Sequence, residues 1–205
     1  MYFRILEEEQ TGLVSYFLAD LDACEAVMID PRLPDVYLIQ AMLAEHRLKL
    51  RAVVMTHSHA ADDGERDALT AALSTALSTP VLQGEQLLDG ALIDFGGEHV
   101  RVLATAGHTR HCRSFLWRDR LFCGGVLSAQ ACPHGPAVQQ PQAMWDSVMR
   151  KVFTLQPETL LFSAHAGATG AVSNVMTQRR HHPWFGGRSR DDFLSCIAGL
   201  TSNAM

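Results

Sequence analysis

Between Tyr2 and Met55 the chain strings together short apolar segments and turn residues before it forms a helix and a buried strand, and this order confines it to a sheet-based α/β fold. Tyr2 to Leu6, Val14 to Ala19 and Ala26 to Ile29 have strand lengths, and the third ends at Asp30-Pro31. Three such segments in succession predict a sheet of sequential hairpins. From Val36 to Glu45 the apolar residues Tyr37, Leu38, Ala41 and Met42 fall at helical spacing, and Leu50 to Met55 is a nearly continuous apolar run. That pair predicts a helix followed by a buried strand.

The pattern resumes in the second half. Asp67 to Thr79 is rich in Ala and Leu with helical periodicity, and Pro80-Val-Leu starts a strand. Ala91 to Phe95 and Val100 to Ala104 form a hairpin, and Cys112 to Trp117 and Leu121 to Gly124 two more strands. Beyond them the spacing predicts helices over Gln142 to Phe153, Ala171 to His181 and Asp191 to Leu200, with a strand at Thr159 to Ser163. Ser189, three residues before Asp192, is placed to cap the last helix. The loop Ser128 to Pro141 is long for a compact domain, and loops of that length usually carry function. Two mixed sheets flanked by helices give a four-layer αββα sandwich. Composition alone does not select it over another α/β arrangement.

The 205 residues, 47% hydrophobic and 19% charged, suit one domain over positions 1–205. No apolar run reaches the roughly 20 residues that span a bilayer, and the first residues lack a basic segment followed by an apolar one. A membrane role is not expected, and a cytoplasmic location is. Five cysteines without CxxC spacing (Cys24, Cys112, Cys123, Cys132, Cys196) read as reduced thiols. A net charge of -5 with no long basic block argues against nucleic acid as a partner. A homodimer is left open.

Ten histidines are the unusual part of the composition, and their placement says more than their number. Thr56-His57-Ser58-His59 follows the buried strand directly, at the end where α/β sheets place their sites. His108 lies between two strands, and His165 lies just past another. A lone HxH is usually a pair of loop histidines, but four imidazoles at strand ends point to an ion. Imidazole suits zinc, iron, copper or nickel, and a site with an open position is catalytic rather than structural. His46 and His99 read as surface residues. His111, His134, His181 and His182 stay open between site and solvent.

The segments Met55-Thr-His-Ser-His, Thr105-Ala-Gly-His-Thr, Asp119-Arg-Leu-Phe-Cys-Gly-Gly and Phe162-Ser-Ala-His resemble, in order and spacing, the signature segments of the metallo-β-lactamase superfamily. Tyr16-Phe-Leu-Ala-Asp and Val27-Met-Ile-Asp-Pro resemble its opening hairpins. Within it the chain is most similar to persulfide dioxygenases and, beyond them, to glyoxalase II, which normally adds a C-terminal helical region where this sequence offers a short tail after His165. Arg180-His-His-Pro resembles the Arg-x-Asn-Pro segment of persulfide dioxygenases, with His182 in place of the Asn, and Leu127 to Cys132 resembles their cysteine-bearing loop.

The resemblance also shows what is missing. The family's H-x-H-x-D-H becomes His57-Ser-His59-Ala-Ala61-Asp62, unless a one-residue shift lets Asp62 and Asp63 stand in for its last two members. The later aspartate, which bridges two metals in hydrolases and completes the iron triad in persulfide dioxygenases, becomes Gly125. The first-metal set His57, His59 and His108 survives, while the second is reduced to His165 and Asp62. Asp62 or Cys123 could replace the carboxylate, although Cys123 also suits a small core position. The loop's Arg-Gly-Cys-Gly-Arg stretch reads Gln130-Ala-Cys132-Pro-His134, without the two arginines that suit a carboxylate-bearing ligand. Cys132, His134, Arg179 and Arg180 are the pocket candidates.

The resemblance implies a protein acting on a small thiol or persulfide, such as a glutathione derivative, with one iron or zinc ion. The rivals are a catalytically inactive binding or regulatory member that keeps the scaffold and a remnant of the metal site, with an ion or with none, and a glyoxalase II-like hydrolase with a rebuilt second site. A dinuclear hydrolase needs ligands for both ions, which places it last.

Overall fold

In the computed structural model the central strands are buried on both faces, and the period of two that a strand imposes sends alternate side chains to opposite sides of each sheet. The model describes residues 1–58, 63–129, 132, 138–167 and 170–202. The first half contains β1 (Tyr2–Glu7), β2 (Val14–Asp20), β3 (Glu25–Ile29), α1 (Val36–Glu45), β4 (Lys49–Val54), α2 (Asp63–Leu77) and β5 (Val81–Leu82). Its sheet runs β1-β2-β3-β4-β5, antiparallel through β3 and parallel beyond it.

The second half contains β6 (Leu92–Phe95), β7 (Glu98–Ala104), β8 (Arg113–Trp117), β9 (Arg120–Gly124), α3 (Pro141–Ser147), β10 (Leu160–Gly167), β11 (Gly170–Asn174), α4 (Val175–His181) and α5 (Arg190–Ser202). Its sheet runs β11-β10-β9-β8-β7-β6, with β9 and β10 its parallel pair. No helix among the described residues is long and apolar enough to cross a membrane.

Alternate residues of one strand enter different cores. On β3, Val27 and Ile29 face the space between the sheets, while Ala26 and Met28 pack with Ile39 of α1 and Leu73 of α2. On β9, Phe122 joins the inter-sheet core, while Leu121 and Cys123 pack with Met144 of α3 and Phe193 of α5. Three cores between four layers are the expected αββα sandwich. Phe3, Tyr16, Phe122 and Phe162 fill its centre, with ring centroids 4.8 Å apart for Tyr16 and Phe122 and 5.3 Å for Phe122 and Phe162. The Tyr16 hydroxyl also donates to the Ser163 carbonyl and so joins the two sheets near the histidines.

Three expectations change. Residues from Ala171 do not begin a helix: Gly170–Asn174 is an edge strand antiparallel to β10, with Ala171 buried and Val172 exposed. α4 starts only at Val175, where the Asn174 side chain accepts from the Thr177 N–H at 2.8 Å. Pairing of β11 with a distant strand overrode local helical spacing. The helix expected to reach Phe153 is α3 followed by a π-helical stretch over Val148–Val152. The strand expected to stop at Ser163 continues to Gly167, so His165 lies within β10. The Ser189 cap is present: its hydroxyl accepts from Asp192 N–H at 3.2 Å, and Asp192 accepts from Ser189 N–H at 3.1 Å.

Phe122 touches both halves of the inter-sheet core, so Phe122→Ala is expected to destabilise the protein by about 3–5 kcal/mol. Urea denaturation checks this, and a loss under about 1 kcal/mol would show that the centre can collapse around the gap.

Candidate metal centre

The site begins with a buried carboxylate. Asp30, just past β3, has a left-handed backbone (φ 52°) that turns its side chain towards the end of β4. It accepts hydrogen bonds from the Thr56 N–H at 2.6 Å and the Thr56 hydroxyl at 2.7 Å. Burial pushes the Asp30 carboxyl up to about 7, against the opposing pull of those two hydrogen bonds. Thr56 Oγ1 also lies 2.7 Å from His57 Nδ1. With the hydroxyl proton given to ionised Asp30, that oxygen accepts from Nδ1–H, which leaves Nε2 of His57 as the lone-pair nitrogen. The Thr56 carbonyl accepts from Arg113 N–H of β8 at 2.7 Å, which ties this strand end to the second sheet.

His108 sits on the turn between β7 and β8. Gly107 before it is required by close approach, because a Cβ there would overlap the Met144 backbone of α3. α3 braces the turn further, with the Ser147 hydroxyl donating to the Ala106 carbonyl at 2.8 Å. The turn's own Cys112 accepts from Thr109 N–H at 3.2 Å and lies 3.9 Å from His108 Nδ1. His165 occupies an irregular stretch of β10 held by a bridge to Leu13 and by Ala166 N–H donating to the Gly12 carbonyl at 2.7 Å.

These elements bring three imidazoles together. Ring centroids are 5.0 Å apart for His57 and His108, 5.1 Å for His57 and His165, and 5.9 Å for His108 and His165. His108 and His165 are fully buried. Cys132 joins them: one donor atom each from His108, Cys132 and His165 lies within 4.8 Å of the other two. His59, Ala61, Asp62 and His134 lie outside the described residues, as does the Asp63 side chain.

Gly125, where the aspartate was expected, faces His108, and a Cβ built on it would overlap the imidazole. The histidine therefore occupies the space next to the missing carboxylate. Cys123 takes the core role: its thiol donates to the Phe162 carbonyl at 3.3 Å, and burial pushes its pKa up to about 12. Arg179 donates to the Leu155 carbonyl at 3.0 Å, and Arg180 is exposed. Neither lines the cleft of about 820 Å³ that opens beside His165, whose walls include Ser128, Asn174, Gln178, His181 and His182.

His182 is structural. Its Nδ1 accepts from the Trp184 N–H at 3.0 Å, so Nε2 carries the proton and donates to the Leu127 carbonyl at 3.0 Å. The buried ring thus clamps the segment after α4 to the loop after β9, and burial holds its pKa below 6.5. Of the other histidines, His46 packs on Tyr2, His99 is exposed and His111 lies 3.7 Å from Glu85. Asp30 and Thr56 were not identified from sequence. Their signal is an acid directly after an apolar strand, opposite a threonine directly before a histidine.

Facing mixed sheets, with histidines gathered at one end, define the metallo-β-lactamase fold. No family model matches the sequence. The human mitochondrial persulfide dioxygenase ETHE1 is 31% identical over 190 residues, covering 88% of this chain and 74% of that protein. A hydroxyacylglutathione hydrolase from Roseobacter denitrificans is 30% identical over 201 residues, covering 92% and 72%. The crystal structure of ETHE1 from Myxococcus xanthus matches with a TM-score of 0.82 at 30% identity, covering 98% of this chain and 91% of that one. The chain therefore belongs to the metallo-β-lactamase superfamily, in the branch that holds persulfide dioxygenases and hydroxyacylglutathione hydrolases.

Two outcomes follow from this geometry. Gly125→Ala is expected to cost about 1–3 kcal/mol in a denaturant titration, because the methyl group and the His108 ring compete for one space. No loss would mean that the imidazole is free to move aside. For His182, the unfolded chain binds more protons than the folded one between the lowered folded pKa and 6.5. Its stabilisation is therefore full above about pH 6.5 and is lost as pH falls through the folded pKa. Melting temperatures should drop more steeply on the acid side for wild type than for His182→Asn, which keeps a donor and an acceptor but does not titrate. Equal slopes would contradict this.

Proposed function

We propose that this chain acts on a small thiol or persulfide at a single metal ion, iron or zinc. The observation that carries the reading is the convergence of His57, His108 and His165 at the ends of strands from both sheets. The residues fit such an ion: His108 and His165 are buried, His57 is half-buried beside them, and imidazole is a borderline donor that suits iron or zinc. His57 would bind through Nε2, His108 and His165 through ring nitrogens, and His59 is proposed as a further ligand. Bound there, iron or zinc would act as a Lewis acid towards a sulfur or oxygen donor in an open position.

The chain's own groups set the conditions. Asp30 and Thr56 hold the His57 ring in one tautomer, and burial of His108 and His165 keeps bulk water from the cluster. A substrate reaches His165 through the adjacent cleft, where the Asn174 and Gln178 amides, each already bonded once within the protein to Thr177 and Ser173, keep their second polar atom. Relatives named persulfide dioxygenase and hydroxyacylglutathione hydrolase support a thiol as substrate. No two cysteines form a disulfide among the described residues, which supports a reducing compartment such as the cytoplasm.

A second reading, a non-catalytic binding or regulatory member, is favoured by Gly125 in place of the expected carboxylate. Metal analysis after iron- or zinc-supplemented expression, followed by oxygen uptake with glutathione persulfide, separates the two. We expect about one ion per chain, lost in His108→Ala, and, for the iron-loaded protein with persulfide, oxygen uptake that requires the ion. Iron bound without oxygen uptake selects the second reading, and substoichiometric metal overturns the metal-dependent one.

A further inference from the structure

We propose that Cys132 is a metal ligand, its thiolate supplying the anionic donor that Gly125 no longer provides. The inference rests on the metal-dependent reading above and adds the identity of the negative charge in the site. His108, Cys132 and His165 are 0%, 6% and 1% exposed, with donor atoms mutually within 4.8 Å, and His57 stands beside both histidines. The ion this set selects is a borderline or soft divalent cation, zinc or ferrous iron, over magnesium or calcium.

Three observations converge. The first is charge: imidazoles leave a divalent ion with its full charge in a buried place, which is costly without a nearby anion. The grouped donors include no carboxylate among the described residues, and Asp30 is committed to Thr56. The second is space. The His108 ring lies against Gly125, so a side chain at 125 cannot deliver the anion unless the ring moves. The third is the path of the chain. After β9, Ser128 N–H donates to the Gly125 carbonyl at 3.2 Å and Cys132 N–H to the Ala129 carbonyl at 3.3 Å. Cys132 thus stands three residues past Ala129 with its thiol among the histidine donors.

The surroundings of the other thiols mark the difference. Cys123 belongs to the helix-side apolar core, whereas Cys132 belongs to none of the three apolar cores among the described residues. Cys112 approaches His108 too, but its sulfur accepts from the Thr109 N–H and pairs with the Thr109 hydroxyl, both at 3.2 Å. Binding through Cys132 forms one metal–sulfur bond, breaks one S–H bond and releases one proton to solvent. The thiolate adds to His57, His108 and His165 a sulfur donor of the kind zinc and ferrous iron accept, and an ion that takes more than four ligands keeps a position for substrate.

The test uses the 205-residue chain, stripped of metal and titrated with cobalt(II). Wild type should show a thiolate-to-cobalt charge-transfer band in the near ultraviolet, and Cys112→Ser should keep it. Cys132→Ser should lose the band and bind cobalt more weakly by at least the roughly 10–100-fold that an outer-shell partner contributes. If Cys132→Ser does not fold, Cys132→Ala and the wild-type spectrum decide. Cobalt bound by wild type without the band, or a band that survives in Cys132→Ser, overturns the inference and leaves the histidine site standing. No cobalt bound by wild type overturns the metal-dependent reading as well.

Discussion

Everything at the histidine end of the molecule depends on how Thr56 is held. Its N–H and hydroxyl satisfy the buried Asp30 carboxylate within the first sheet, and its carbonyl accepts from Arg113 of the second. Both sheets are thereby fixed at the point where β4 ends, one residue before His57. The same hydroxyl sets the tautomer of that histidine. A carboxylate buried this deeply costs free energy unless its hydrogen bonds are made, so the arrangement is either complete or strongly destabilising.

From that junction the rest of the cluster follows by packing. α3 presses on Gly107 and aims the His108 turn inwards, while the irregular stretch of β10 presents His165 from the other side. The two histidines that the family resemblance assigned to separate metal positions stand with His57 in one group. Loss of a side chain at Gly125 is part of this rearrangement, since the His108 ring lies where that side chain would begin. A group of imidazoles with no carboxylate beside it among the described residues is chemically unlike the usual iron triad, and it gives the thiol of Cys132 its significance.

Much of this was legible in sequence. Strand lengths, the helix at Val36–Glu45 and the histidines at strand ends depend on local periodicity and position, which a sequence displays directly. β11 was not legible, because its conformation is decided by pairing with β10 rather than by its own residues. Asp30 was hidden for a related reason. An acid after a strand reads as a turn residue until the fold buries it against Thr56, 26 positions away. Cys132 was visible as a thiol in a functional loop, but its place beside His108 and His165 is decided by tertiary structure that a sequence does not display.

The central claim is that one ion is held by imidazoles together with a thiolate. X-ray absorption at the zinc edge of the zinc-loaded 205-residue chain reads the ligand atoms directly. We expect a shell of nitrogens at about 2.0–2.1 Å with one sulfur at about 2.3 Å. A shell of nitrogen and oxygen alone would contradict the claim.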